Sequence, residues 1–111
     1  MPKTYLTTPA RGFHEKASGF HELAELEFND AIVYFENERE GLGHRFISAV
    51  QDAVTHIRQH PQASPIILQD VRCKVVRRFP YSIMFSIKPD RIRILALANQ
   101  KRRPFYWHGR E

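Results

Sequence analysis

Two stretches of the chain carry apolar residues at helical spacing, and three later ones carry them at strand spacing. Between His21 and Glu38, Ala24, Phe28, Ala31 and Phe35 recur at i, i+4, i+7 and i+11. Joined by Ile32, they form the stripe of one buried helix face. Glu22, Glu25 and Glu27 fall in the first turns, where carboxylates suit the helix dipole. Gly41-Leu42-Gly43 ends the helix and allows a left-handed turn. A second stripe, Phe46, Val50, Ala53, Val54 and Ile57, predicts a helix over 44–60 that Pro61 stops. The short link predicts an antiparallel helical hairpin.

Beyond Pro65 the period changes to two. Val71–Phe79, Tyr81–Ile87 and Ile92–Ala98 read as strands, with Pro80 and Pro89-Asp90-Arg91 at the turns. Such short connections predict an antiparallel meander. Alternation puts Arg72, Lys74 and Arg78 on one face of the first strand. Val71, Cys73 and Val75 are on the other, which is expected to meet the helices. Arg77 breaks the alternation and predicts a bulge near Arg77-Arg78. Two helices followed by consecutive strands predict an α+β fold, a helical hairpin packed on a small antiparallel sheet. Ala17–Phe20 is a candidate short N-terminal edge strand. Residues 1–16 have no clear period and are broken by Pro2, Pro9 and Gly12, so they read as an extension before a single domain over 17–111. A short echo, GFHEKAS then GFHELAE, is too brief for a repeat architecture.

Composition narrows the class. With 111 residues, 42% hydrophobic and 26% charged, the chain can bury a core but has no room for a second domain. Its single cysteine, Cys73, excludes an intrachain disulfide. The longest mostly apolar run, Ile92–Ala98, is too short to span a bilayer, and the first twenty residues lack a signal-like apolar region. A cytoplasmic protein with no membrane contact is expected. The net charge of +5 hides an asymmetry: net −4 over residues 1–70 and net +9 over 71–111. A basic half of this kind suits an anionic partner. Its aromatics, Phe79, Tyr81, Phe105, Tyr106 and Trp107, are interleaved with the cations, as in surfaces that bind RNA or nucleoprotein.

Catalytic signals are sparse. Asp90 is the one carboxylate side chain between Val71 and Arg110, and no histidine lies on a predicted strand. There is no Ser/His/Asp spacing and no glycine-rich phosphate loop. His56 and His60, at i and i+4, lack a third metal ligand, so neither a metal nor a cofactor is expected. A nuclease built here would rely on Arg and Lys to stabilise the phosphorane, with a tyrosine or His108 moving protons.

Five segments in order, FHELAELEFNDAIVYFE, GLGHRF, Pro65, VVRRFPYSI and IRILALANQKRRPFYW, resemble the RelE/ParE superfamily of toxins from bacterial toxin–antitoxin pairs. The resemblance covers about residues 20 to 110. It implies a small cytoplasmic toxin neutralised by a cognate antitoxin in a type II system. The superfamily divides between RelE-like nucleases, which cleave messenger RNA on the ribosome, and ParE-like inhibitors, which bind DNA gyrase. GLG with RF, RRFPY and the RRP-x-YW ending resemble ParE-type and plasmid-stabilisation sequences. A RelE-like site would draw on Arg72, Lys74, Arg78 and Tyr106 as a metal-independent endoribonuclease. Gln100 stands where such a site carries arginine, and Asn99 where many relatives carry histidine. The expectation is therefore a non-catalytic gyrase inhibitor. Its target-binding residues are Arg78, Arg102, Arg103, Tyr106 and Trp107, with the ribosome-dependent nuclease as the alternative.

Overall fold

The computed structural model describes residues 17–111. The reading of residues 1–16 as an extension lies outside the described residues. The elements are β1 (Ala17–Phe20), α1 (Glu22–Glu38), α2 (Leu42–Gln59), a short 3-10 turn (Pro61–Ala63), β2 (Ile66–Leu68), β3 (Val71–Val75), β4 (Tyr81–Ile87) and β5 (Arg91–Asn99). They form the expected α+β architecture, two helices on one five-stranded sheet of order β1-β5-β4-β3-β2. The sheet is mixed rather than purely antiparallel, because β1 lies parallel to β5.

The hairpin is fixed by polar groups at its ends. His21 Nδ1 accepts from the Leu23 N–H at 3.0 Å and caps α1. The Glu36 carboxylate accepts from the Gly41 and Gly43 amides, both at 3.0 Å, satisfying free donors at the start of α2. Gly41 takes φ +84°, and a Cβ on Gly43 would lie 2.8 Å from the Ile32 carbonyl oxygen. The first glycine makes the turn, and the second lets the helices approach.

Both helical stripes enter one core with Val76, Tyr81, Ile83, Phe85, Ile92, Ile94 and Leu97. Phe35 and Phe46 anchor an aromatic cluster whose rings meet Phe79 at 5.0 and 5.1 Å between centroids, both edge-on.

The strand readings need four corrections. β3 stops at Val75, not Phe79. There Arg78 takes φ +70° and the Val76 N–H turns to the Tyr81 carbonyl at 2.9 Å, making a tight turn instead of a ladder bulge. The bulge is on β5: Met84 pairs with Ala96 and Phe85 with Ile94, leaving Leu95 extra. β2, three residues on the outer side of β3, had no period to reveal it.

The faces of β3 are also reversed. Arg72 pairs with Phe85 and Lys74 with Ile83, so both cations lie on the helix side. Val71 belongs to a second apolar cluster with Leu95, Ala96 and Trp107 on the opposite face. The physical reason is that β3 lies toward the margin of the helical layer. Long cationic stems can run past α2 there and keep their charge in water, while Val71 fits beneath the indole.

Candidate functional site

At one end of the sheet the turn 76–80 and the segment after β5 come together. The Gln100 N–H donates to the Pro80 carbonyl at 2.9 Å and ties them. Asn99 then reverses the chain: its Oδ1 accepts from the Lys101 N–H at 2.8 Å and its carbonyl from the Arg102 N–H at 3.0 Å. Arg77 and Arg78 stand on one turn and Lys101, Arg102 and Arg103 on the next, all five exposed. None pairs with a carboxylate among the described residues. Five cations at one end give a field that concentrates anionic partners.

Behind this rim lies a polar clasp that holds the tail. β1 covers the outer edge of β5 only as far as Ile94. Beyond it, Glu27 Oε1 accepts from the Leu97 N–H at 3.1 Å, and Arg110 Nη1 donates to the Leu95 carbonyl at 2.9 Å. Two side chains thus satisfy the strand edge where, among the described residues, no strand lies beside it. Glu27 and Arg110 also pair with each other at 3.0 Å, their side chains 17% and 13% exposed. Tyr106 completes the clasp, its hydroxyl donating to Glu27 Oε2 at 2.9 Å. Arg102 lies over the Tyr106 ring at 3.8 Å from the centroid, with the Arg110 guanidinium at 5.2 Å.

Burial, and then the adjacent Glu27 charge and hydrogen bond, push the Tyr106 phenol well above its ordinary value against the opposing pull of Arg102 and Arg110. A phenol held this way keeps its proton and serves as a donor.

The sequence-predicted residues occupy different places. Arg78 projects from the 76–80 turn. Arg102 and Arg103 stand exposed on the tail, and Tyr106 is tied to α1. Trp107 was expected as an anchor for a target; it is 3% exposed and forms the centre of the second apolar cluster. Arg72 is engaged by the loop after α2, its Nη1 donating to the Ser64 carbonyl at 2.7 Å and the Gln62 carbonyl at 3.3 Å. Lys74 lies near His56 of α2, and its charge is the leading cause holding that imidazole below its ordinary pKa, with desolvation and His60 adding less. β4 separates Arg72 and Lys74 on β3 from the β5 edge at which Tyr106 is held. Glu27 and Arg110 had no separate signal beyond a carboxylate flanking an apolar helical stripe and a cation near the end of the chain. Among the described residues no three His, Cys, Asp or Glu are grouped to hold a metal, and no helix is long and apolar enough to cross a membrane.

No protein-family model matches the chain, and no curated protein matches it in sequence. Its fold is shared with a chain of a solved structure described as the chromosomal ParDE TA system from P. aeruginosa. The TM-score is 0.66 at 18% identity, over 78% of this chain and 97% of that one. At that identity the likeness is one of fold.

Proposed function

We propose that this chain is the toxin of a type II toxin–antitoxin pair, acting in the cytoplasm, neutralised by a cognate antitoxin and inhibiting DNA gyrase by binding. The observation that carries this reading is the fold shared with a chain of a ParDE system. The order of sequence motifs and the exposed cations at the basic end support it independently. Arg78, Arg102 and Arg103 are the residues assigned to the target, and Tyr106 supports Arg102 from below through its ring. A binding toxin needs charge complementarity and a few anchors, and no proton carrier.

The alternative is ribosome-dependent cleavage of messenger RNA by Arg72, Lys74, Arg78 and Tyr106. That chemistry needs a group to take the 2′-hydroxyl proton and one to protonate the leaving oxygen. The Tyr106 hydroxyl donates to a carboxylate, and Arg72 donates to two backbone carbonyls, which argues for binding.

Supercoiling by purified gyrase with added protein, run beside primer extension on messenger RNA after induction, tests the reading. Inhibited supercoiling with intact message is expected. Codon-phased cuts with unaffected gyrase would favour the nuclease.

A further inference from the structure

The end of α2 carries two histidines four residues apart, His56 and His60, a spacing that sets side chains next to each other on one helix face. His60 already leaves the helical backbone, at φ −137°, but its N–H still donates to the His56 carbonyl at 2.8 Å, so the turn between the two is closed. Their ring centroids lie 5.4 Å apart, with the planes inclined at 51°. A shared metal ion sets nearly this separation. A Zn–N bond of about 2.0–2.1 Å, with about 1.1 Å from nitrogen to ring centre, puts each centroid about 3.2 Å from the ion. At a tetrahedral angle the two centroids then stand about 5.2 Å apart.

His60 is exposed and His56 half-buried, so an ion can reach the pair from solvent. His56 Nδ1 is shut away from water and meets no hydrogen-bond partner, so the protein's own network does not claim this ring and Nε2 is left for a ligand. The negative end of the α2 dipole lies here and favours a cation. One group opposes: the Lys74 ammonium, whose charge acts on His56.

From this geometry we infer that His56 and His60 form a two-point site for a divalent late transition-metal ion such as zinc, with water completing its coordination. Among the described residues no three metal-ligating side chains are grouped. That excludes a closed structural centre but not an open chelate of two imidazoles. The bound ion pins the last turn of α2 to the start of the loop whose Gln62 and Ser64 carbonyls hold Arg72. The inference does not depend on the toxin reading.

Titrating the full chain with zinc sulfate tests it, read by histidine side-chain 1H–15N spectra and by thermal melts. Expected are joint shifts of His56 and His60 with His21, His44 and His108 unmoved, and a melting temperature that rises with zinc. His56→Gln and His60→Gln should each weaken zinc binding about tenfold or more and abolish that rise, their folds being checked by zinc-free melts. His44→Gln should leave binding within about twofold. Lys74→Gln removes the repelling charge and should tighten binding about threefold or more. Copper(II) should bind the same pair more tightly than zinc. Zinc binding unchanged in both His56→Gln and His60→Gln, shifts confined to other histidines, or no binding at millimolar zinc would overturn the inference. So would inorganic phosphate shifting the two rings where zinc does not, an effect lost in Lys74→Gln, which is the behaviour of an anion site.

Discussion

The Tyr106 hydroxyl lies 2.9 Å from the Glu27 carboxylate, joining positions 79 residues apart. Glu27 also accepts from Arg110 and from the Leu97 backbone, so one carboxylate on α1 holds the tail and a strand edge together. Loss of Glu27 leaves a largely buried guanidinium without its counter-charge, the costly way to break such a pair. Glu27→Ala should lower stability by about 3 kcal/mol. Tyr106→Phe, which loses one hydrogen bond to a charged acceptor, should cost about 1–2 kcal/mol. Thermal melts of both variants check this; a Glu27→Ala loss smaller than that of Tyr106→Phe would show the clasp to be a surface ornament of the fold.

The same contact predicts an alkaline signature. The folded phenol binds its proton more tightly than the unfolded one, so its stabilisation is whole below about pH 10 and is lost as pH rises through the folded value. Absorbance titration of the native protein and of Tyr106→Phe should therefore give nearly the same number of phenolates at about pH 11. A full extra phenolate in the native protein at that pH would contradict the geometry.

Gly43 presents two opposed effects. Alanine is intrinsically better in a helix by up to about 1 kcal/mol. The added methyl, however, would sit 2.8 Å from the Ile32 backbone oxygen, an obstacle that cannot rotate away. The collision should win, and Gly43→Ala should destabilise the protein by about 1–2 kcal/mol in a denaturant titration. An unchanged midpoint would mean the two helices separate easily.

His56 gives an acidic counterpart. Its folded pKa is lowered, chiefly by Lys74, so the folded state takes up the proton less readily than the unfolded chain. Its contribution is whole above the ordinary histidine range and is lost as pH falls below about 6.5. Lys74→Gln removes the leading cause, so its melting temperature should fall less between pH 7.5 and pH 5.5 than that of the native protein. Equal falls would reject the pairing of these two side chains.

What was legible in the sequence follows the physics of each element. The helix stripes from Ala24 to Phe35 and from Phe46 to Ile57 were readable because a whole face is buried. The outer sheet was less so. β3 carries cations on the helix side and packs Val71 with Trp107 on the other, so polarity alone assigns its faces backwards. β2 is too short for a period. The β5 bulge brings Leu95 and Ala96 onto one face, and no residue type announces it. The cations of the basic end were legible from charge, whereas the clasp joins α1 to the tail through contacts that only the tertiary structure supplies.

The tail offers a way to separate fold from action. Deleting residues 101–111 would remove Trp107 from the second core and Arg110 from Glu27, so loss of the proposed growth inhibition in that deletion would report unfolding as readily as loss of contact. Single substitutions divide the two. Trp107→Ala should cost about 3–5 kcal/mol, because the indole is buried against Val71, Leu95 and Ala96. Arg102→Glu and Arg103→Glu reverse exposed charges that pair with no carboxylate among the described residues, and surface changes of this kind stay within roughly 0.5 kcal/mol. Arg102→Glu also loses its contact with the Tyr106 ring, an exposed cation–π pair of about 0.5–1 kcal/mol. Both charge reversals should melt within a few degrees of the native protein. If the proposed gyrase inhibition holds and the basic end makes the contact, they should nonetheless relieve growth inhibition on induction and weaken inhibition of purified gyrase. Arg103→Glu is the cleaner probe, since no ring contact is lost. A folded Arg103→Glu, Arg102→Glu double variant that still arrests growth at the native level would move the target surface away from the tail.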